Sequence, residues 1–337
     1  MVFTLLVLGT SFLSSQQRDV TLPRVSQKAC ISQQIGLTDI TITYSSPGVK
    51  KRTIWGDLVP YNEVWRAGAD ENTTISFSSD VTVEGQKLAK GTYGLFIIPG
   101  KEEWIIIFSK NHTSWGHYFY LEAEDALRVK IKPIEAPFHE WLTYDFTDRE
   151  SNWTTIVLFW EKIQLPIKIQ VDVPAIVLEN LHKELRSASW WNWEGTFNAA
   201  KYCYDNNVNL EEALTWIDQS IRGAENYRNQ ELKSKILDKL GKKPEAALAL
   251  QQANKVATEQ ELIRFAYNLA ETDIKAAEKI LLDNIVRFKT WSANYALARF
   301  YNYNKDIPNA LKYYNLALQK APADKKDKLQ AEIKKIQ

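Results

Sequence analysis

The sequence predicts two regions in succession: an antiparallel β-sandwich or jelly-roll-like domain over residues 26–171, then an α-helical repeat array over residues 175–337. Two observations support this prediction. In the first region hydrophobic and polar residues alternate with a period of two, which is typical of strands with one buried face. In the second region alanine and leucine recur at helical spacing, and the pattern repeats at a nearly constant interval. A chain of 337 residues has room for about two domains.

The first residues, 1–17, are interpreted as a signal peptide. Val2–Leu8 form an apolar run that small and polar residues follow, as in the apolar core and cleavage region of exported proteins. No basic leader precedes the run, and a buried N-terminal strand or short helix is the alternative. The pattern predicts export, to the periplasm or the medium of a Gram-negative bacterium. No other stretch has the about 18 apolar residues that span a bilayer, so no transmembrane span is expected after cleavage.

Strands can be assigned individually in the first region. The run Ile40–Tyr44 alternates between apolar residues and threonine, which predicts one buried face. Trp104–Phe108 and Ile156–Trp160 are apolar on both faces and are expected in the interior of a sheet. Pro166 predicts an edge strand or a bulge, because proline has no N–H to donate to the ladder.

Four alanines mark the repeat of the helical region. Ala213, Ala246, Ala277 and Ala310 each lie near the start of an apolar helix, and they are 33, 31 and 33 residues apart. The tetratricopeptide period is about 34 residues. Two helices approach closely only where small side chains meet, which explains alanine at these positions. The repeat is degenerate around Ala277. The region is therefore predicted to be a tetratricopeptide-like array, with a generic helical bundle as the alternative.

The β region also carries motifs in a fixed order. They are Ile35-Gly36-Leu37-Thr38-Asp39, Tyr44-Ser45-Ser46-Pro47, Leu58-Val59-Pro60-Tyr61, Val64-Trp65-Arg66-Ala67-Gly68-Ala69, Gly91-Thr92-Tyr93-Gly94-Leu95-Phe96-Ile97-Ile98-Pro99 and Trp115-Gly116. Because of these motifs, the region from about Ser26 to Val171 resembles a bacterial family of domains of unknown function, numbered 2911. The resemblance implies an exported N-terminus, helical repeats behind the β domain and no established activity. Ser45, Lys51 and Asp70 stand where arginine, glycine and asparagine are common in that family.

Charge and motif spacing exclude several classes of function. The formal net charge of +1 provides no field that would attract nucleic acid. No two of the 13 glycines are two, four or five positions apart, which excludes a dinucleotide fingerprint, a nucleophile elbow and a P-loop.

His112 and His117 lie in or beside a loop, but no histidine pair has the spacing of a helical zinc site. Cys30 and Cys203 fall in different regions, so no disulfide framework is indicated. We predict no catalytic residue, no metal and no cofactor.

The segment Trp65–Thr74 is the strongest candidate for a ligand site, because it combines an aromatic ring, a guanidinium, carboxylates and hydroxyls just before a strand. The candidate ligand-binding residues are Trp65, Arg66, Asp70, Glu71, Thr73, Trp115 and His117. The Arg66 guanidinium is able to bind a ligand carboxylate or phosphate. The favoured interpretation is that it pairs with Asp70 or Glu71 and holds the loop, since paired loop arginines are common.

Two functions from different classes are compatible with these features. Export, repeats and the lack of catalytic motifs favour a non-enzymatic interaction protein, with a β domain for ligand or scaffold contact and a helical groove for a protein or peptide partner. The alternative is an exported hydrolase, for example one acting on glycans, that uses β-domain carboxylates such as Asp70, Glu71 or Glu140. An open cleft with two carboxylates roughly 5–10 Å apart would favour the hydrolase.

Overall fold

The computed structural model describes residues 23–337, so the predicted signal peptide lies outside the described residues. The chain divides into two compact units between Val177 and Leu178. We call the first the β unit and the second the helical unit. Antiparallel sheets followed by a helical array were the predicted fold class, and the structure confirms this order.

Ten β-strands lie in the described part of the β unit. They are β1 (Gln27–Ile35), β2 (Thr38–Ser46), β3 (Thr73–Phe77), β4 (Val81–Val83), β5 (Gln86–Leu88), β6 (Gly91–Ile98), β7 (Trp104–Ser109), β8 (Asp125–Ile131), β9 (Ile134–Arg149) and β10 (Trp153–Gln170). They form a six-stranded sheet of order β1-β2-β3-β6-β7-β8 and a four-stranded sheet of order β5-β4-β10-β9. Every pairing between these strands is antiparallel.

The alternation in the sequence sets which face of each strand is buried. In β2, Ile40 and Ile42 are buried, and Thr41 between them is partly exposed. Strand β7 lies between β6 and β8, so the run Trp104–Phe108 is in an interior strand as predicted. The run Ile156–Trp160 pairs with β9 on one side, because β4 pairs with β10 only at Ile169 and Gln170.

Pro166 departs from its prediction. It lies in β10, an interior strand, and the expected edge position is wrong. Pairing with β9 ends at Gln164 and pairing with β4 begins at Ile169, and no register shift falls at the proline. The missing N–H therefore interrupts no ladder hydrogen bond, which is why an interior strand accepts it.

One hydrophobic core contains residues of both sheets, and four tryptophans pack together in it. Trp65 and Trp160 are stacked, with ring centroids 5.7 Å apart and an interplanar angle of 16°. Trp55 lies edge-on to both and 4.6 Å from Trp104. Rings of this size bury about 150–250 Å² each, so the cluster is a large part of the core. The sandwich and jelly-roll assignments stay predictions.

Ten α-helices follow the strands within residues 23–337. They are α1 (Val173–Glu184), α2 (Trp193–Asn206), α3 (Leu210–Gly223), α4 (Tyr227–Lys239), α5 (Lys243–Val256), α6 (Glu259–Leu269), α7 (Ile274–Phe288), α8 (Trp291–Tyr303), α9 (Ile307–Lys320) and α10 (Ala323–Ile336). From α2 to α9 they form four pairs of packed consecutive helices, joined by short turns. The boundary between the two units falls inside α1.

The repeat alanines occupy one position in all four pairs. Each is the fourth residue of the second helix of its pair, and all are buried: Ala213, Ala246, Ala277 and Ala310. The first helices carry buried small residues as well: Ala200, Ser234, Ala266 and Ala298. In the second pair the Ser234 hydroxyl donates to the Ala246 carbonyl at 2.8 Å. The third pair, predicted to be degenerate, keeps its alanine at the same position as the others.

Candidate functional site

A groove of about 670 Å³ in the helical unit is lined by the first helices of three successive pairs. Helix α2 contributes Phe197, Lys201, Tyr204 and Asp205, helix α4 contributes Tyr227, Arg228, Glu231, Leu232 and Lys235, and helix α6 contributes Arg264, Phe265 and Asn268. Along each helix these residues recur at intervals of three or four, which places them on one face.

The charge of the groove is mainly positive. Its cations are Lys201, Arg228, Lys235 and Arg264, and its carboxylates are Asp205 and Glu231. Both carboxylates are paired on their own helix, Asp205 with Lys201 and Glu231 with Lys235. The Arg228 guanidinium lies over the Phe197 ring at 4.8 Å. The groove therefore presents two arginines that form no ion pair with a described residue.

Hydrogen bonds at the start of α4, the middle helix of the groove, hold this helix end in a defined conformation. The Asn226 side chain accepts from the Asn229 N–H at 3.1 Å, and the Asn229 side chain accepts from the Asn226 N–H at 3.0 Å. This reciprocal capping box satisfies two N–H groups that a helix start leaves unpaired. Tyr227 is buried directly after the cap, and burial raises the pKa of its hydroxyl. Arg228 thus projects from a rigid helix start.

In the β unit, backbone hydrogen bonds hold the loop that carries the predicted ligand segment, between β2 and β3. Trp65 and Ile97 of β6 exchange two hydrogen bonds through their N–H and carbonyl groups, each 2.8 Å long. The Ala69 N–H donates to the Ser45 carbonyl of β2 at 3.2 Å. Between them Ala67 has a φ of 52°, in the left-handed region that residues with a side chain seldom adopt. Contacts with two strands keep this strained residue in place.

Arg66 does not form the ion pair that the sequence favours. It makes no hydrogen bond or ion pair with Asp70 or Glu71, and Glu71 pairs with Arg24 instead. Its Nε is buried and has no hydrogen-bond partner among residues 23–337. Its Nη1 lies close to Gly116, where an added methyl group would come within 2.7 Å of it. The expected pair with Asp70 or Glu71 is therefore wrong: Glu71 is taken by Arg24, and the loop is held by backbone hydrogen bonds.

Glu71 and Thr73 take structural roles. The hydrogen bond from the Arg24 guanidinium lowers the pKa of Glu71, and both side chains are exposed. Thr73 is buried, and its hydroxyl donates to the Ala67 carbonyl at 2.9 Å. Thr73 is therefore out of reach of a ligand, whereas Glu71 stays exposed and its ion pair uses Oε2.

Trp115 and His117 lie in the loop between β7 and β8. Trp115 is 52% exposed, and the His117 ring stacks on Tyr118 at 4.9 Å. The Tyr120 hydroxyl anchors the end of the loop by donating to Asp125 Oδ2 at 2.7 Å. Burial, followed by this hydrogen bond, raises the pKa of Tyr120 to about 12. The hydroxyl therefore stays protonated and the anchor persists at neutral pH.

These two loops border a cavity of about 430 Å³, a size common for small-molecule sites. Its apolar wall includes Pro47, Leu58, Val59, Pro60, Val64, Trp65 and Trp160. Its charged lining consists of Lys50, Arg52, Glu63 and Arg66, with His117 at the same site. Arg52 donates to the carbonyls of Gly48 at 2.6 Å and Val49 at 3.1 Å, so its charge is held in a fixed position.

The sequence of the β unit matches a family model over residues 26–169. The family is DUF2911, described as a protein of unknown function. The resemblance inferred from the motifs is thereby confirmed. Among solved structures, the chain is similar to one described as "Crystal structure of YrrB: a TPR protein with an unusual peptide-binding site", at 19% identity and a TM-score of 0.27, over 47% of this chain and 86% of that chain. No curated protein matches the chain.

The DUF2911 region places three of the predicted ligand residues at the cavity and leaves four outside its lining, of which Glu71 and Trp115 are paired by a backbone bridge. Trp65, Arg66 and His117 line the cavity. Asp70, Glu71, Thr73 and Trp115 are not part of its lining. Lys50, Arg52 and Glu63 line it without having been predicted. The one available signal for them was their position in the same long connection between β2 and β3.

Two residues of the connection between β2 and β3 have unusual backbone geometry. Lys51 has a φ of 62° and Asp70 a φ of 58°. Both lie in the left-handed region, which residues other than glycine seldom adopt.

The groove residues of the helical unit were not predicted as a site. The available signal was the recurrence of aromatic and cationic residues at helical spacing on the first helices, such as Phe197, Lys201 and Tyr204. This signal is hard to separate from an ordinary solvated helix face.

Neither a metal-binding cluster nor a membrane-spanning helix occurs in the described part of the chain. Among residues 23–337 no group of three or more histidine, cysteine, aspartate or glutamate side chains is arranged to hold a metal ion. Over the same residues no helix combines the length and the apolar character needed to cross a bilayer. Cys30 is exposed, Cys203 is buried, and both are free thiols.

Proposed function

We propose that this protein is a non-enzymatic binding protein whose helical groove holds an acidic peptide segment of a partner protein. One observation carries the proposal: the first helices of three successive pairs present aromatic rings and two arginines without carboxylate partners to one groove. Helical repeat arrays generally use such extended surfaces for binding.

The chemistry of the groove favours a particular kind of peptide. Arg228 and Arg264 are exposed and form no ion pair with a described residue, so peptide carboxylates can bind them without displacing a protein carboxylate. Tyr204 and Phe265 are partly exposed and supply aromatic surface beside these cations, whereas Phe197 is buried with Arg228 over its ring. A segment with both acidic and apolar side chains therefore matches the groove.

The spacing of the helices also bounds the length of the segment. Packed helices lie about 8–10 Å apart, so a groove across three helices spans on the order of 20 Å. An extended chain rises about 3.3 Å per residue, and about six residues fill that span.

The hydrolase alternative gains no specific support from the β unit. Its cavity has one carboxylate among the described lining residues, Glu63. Asp70 and Glu71 lie outside that lining, and the Glu140 Oε1 accepts a hydrogen bond from the Lys50 N–H at 2.9 Å. The pair of carboxylates in an open cleft that glycoside hydrolysis uses has no counterpart among these residues.

Export completes the proposal, and its support is the apolar run Val2–Leu8 followed by small and polar residues. We expect the mature chain to begin between Ser14 and Arg18. N-terminal sequencing of the native protein tests this expectation, and an intact Met1 on protein from the cytosol would contradict it.

The groove can be tested with fluorescein-labelled eight-residue peptides, one rich in glutamate and leucine and one in which lysine replaces every glutamate. We expect fluorescence anisotropy to show binding of the acidic peptide and not of the basic one. The double variant Arg228→Glu, Arg264→Glu should weaken binding by tenfold or more, because each lost charge-assisted hydrogen bond is worth about 1.5–3 kcal/mol.

The double variant Lys275→Glu, Lys279→Glu is the matched control, because both residues are exposed cations of α7 outside the groove lining and the net charge changes by the same amount. This variant should bind the acidic peptide like the wild type. Equal losses in the control and the groove variant would show that net charge, and not the groove, determines binding. Absence of binding for both peptides would contradict an acidic partner segment.

A further inference from the structure

The cavity of the DUF2911 region holds a cation whose hydrogen-bonding capacity is unused. The Nε of Arg66 is buried, and no described residue accepts from it. A buried donor without a partner costs free energy that an acceptor would recover. Arg66 lines the cavity, so its guanidinium is a cation that an acceptor entering the cavity would meet.

The guanidinium favours one kind of acceptor. Its planar fork matches the two oxygens of a carboxylate or of a phosphate, and charge-assisted pairs of this kind are strong. Gly116 leaves room for Nη1, since a methyl group there would lie only 2.7 Å away. A glycine at this point keeps the space around the guanidinium open.

The rest of the charged lining agrees with an anion. Lys50 and Arg52 add positive charge, and Glu63 is the opposing carboxylate. Arg52 is fixed by two carbonyl oxygens, so its charge faces the cavity without reorganisation when an anion enters.

The uncharged lining indicates what the anion is attached to. The apolar lining that is open to a ligand consists of Leu58, Pro60 and Val64, whereas Trp65 and Trp160, which stack on each other, are buried behind the surface. An apolar group can pack against leucine, proline and valine side chains of this kind. An inorganic anion would leave this lining without contacts.

We propose that the cavity of the β unit binds a small organic oxyanion, a carboxylate or phosphate carried on an apolar group, with Arg66 as its main contact. This site lies in the DUF2911 region and is separate from the helical groove. Arg66 is then a ligand-binding residue and not the anchor of its loop.

The test is calorimetric titration of the full chain with four probes: benzoate, phenyl phosphate, acetate and neutral benzamide. We expect benzoate or phenyl phosphate to bind, acetate to bind more weakly than benzoate, and benzamide to give no heat of binding. The tighter of the two aromatic anions identifies the head group as carboxylate or phosphate. Arg66→Met should weaken that probe by about tenfold or more, and Arg66→Lys should restore part of the affinity.

Folding of the variants is followed by thermal melting. Arg149→Met is the matched control, because Arg149 lies outside the cavity lining and its guanidinium donates to the Phe146 carbonyl. Leu58→Glu provides a second approach that leaves Arg66 in place. Leu58 lines the cavity and is 44% exposed, so the Leu58→Glu variant should fold normally. Its carboxylate should weaken anion binding by repulsion, and the neutral Leu58→Gln variant should weaken binding less.

Several results would overturn the proposal. They are failure of both aromatic anions to bind at millimolar concentration, equal binding of benzamide and benzoate, or unchanged affinity in both Arg66→Met and Leu58→Glu. A large loss of thermal stability in Arg66→Lys, together with unchanged probe affinity in Leu58→Glu, would return Arg66 to the role of a loop anchor. The groove variant Arg228→Glu, Arg264→Glu should bind benzoate normally, so this site and the peptide groove fail or succeed separately.

Discussion

The two units form their proposed binding surfaces by different means. In the helical unit the groove residues project from regular helices, whose pairing repeats one alanine at the fourth position of each second helix. In the β unit the cavity is bordered by a long connection between β2 and β3. Five residues other than glycine have positive φ there: Lys50, Lys51, Asn62, Ala67 and Asp70.

The difference shows two ways in which a fold can hold surface side chains in fixed positions. In the helical unit a repeated sequence pattern is sufficient to position the groove side chains, because every helix pair packs against its neighbours in the same way. An irregular loop needs contacts from elsewhere in the fold to hold strained conformations, and such strain is concentrated at functional sites. The following predictions test this comparison, beginning with the largest expected effect.

The two cysteines, one in each unit, should differ most in chemical reactivity. Cys203 is buried in the helical unit, and burial raises the pKa of its thiol to about 11. Cys30 is exposed on β1. Because the thiolate is the reactive form, we expect an aromatic disulfide reagent at pH 8 to modify Cys30 quickly, and Cys203 only after denaturation. Absorbance and peptide mass spectrometry measure this, and a fast phase that persists in Cys30→Ser would show that the helical core opens readily.

Enlarging a repeat alanine should destabilise the helical unit. Ala310 is buried at the start of α9, so Ala310→Leu overpacks the helix pair and should cost about 1–3 kcal/mol. Denaturant unfolding measures the change. Ala247→Leu, at an exposed position of α5, is the control and should stay within about 0.5 kcal/mol. An unchanged midpoint for Ala310→Leu would mean that the repeat register is incorrect.

Asn284 on α7 should be a weak point of the helical core. It is fully buried, and neither its Nδ2 nor its Oδ1 has a partner among residues 23–337. Asn284→Leu removes the unpaired amide and should stabilise the protein by about 1–2 kcal/mol. Asn294 is also buried, but its Nδ2 donates to the Thr290 carbonyl at 2.7 Å. Asn294→Leu should therefore destabilise, and a stabilising effect of the same size in both variants would refute this explanation.

Relief of strain in the β unit should have the smallest effect. Lys51 is exposed and has a φ of 62°, so Lys51→Gly should stabilise by about 0.5–1 kcal/mol despite the flexibility of glycine in the unfolded chain. Lys101 is an exposed loop lysine that is not among the residues with positive φ. Lys101→Gly should destabilise slightly. If Lys51→Gly destabilises as well, the strain in this loop is negligible.

The regular parts of the fold could be predicted from the sequence. The alternation in Ile40–Tyr44 identifies β2, because burial of one face requires it. The alanine interval identifies four helix pairs, because close packing requires a small side chain at the same point of each. Pro166 could not be placed correctly, because its tolerance depends on where two neighbouring strands stop pairing.

The candidate site was only partly predictable. The segment around Trp65 and Arg66 stands out by composition, and both residues line the cavity. The partner of Glu71 is Arg24, which lies 47 positions away in the sequence, and no local pattern indicates this pair. The same holds for Lys50 and Arg52, since only the folded loop brings them to the cavity.

The location of the groove on successive first helices has a consequence for how specificity can change. Each of α2, α4 and α6 contributes its own group of side chains, so under the proposed function each helix would contact a different part of the bound segment. Replacing residues 259–290 with another repeat would exchange what α6 presents and leave the residues of α2 and α4 as they are. The array is thus suited to acquiring new partners one module at a time, while the core alanines keep the scaffold constant.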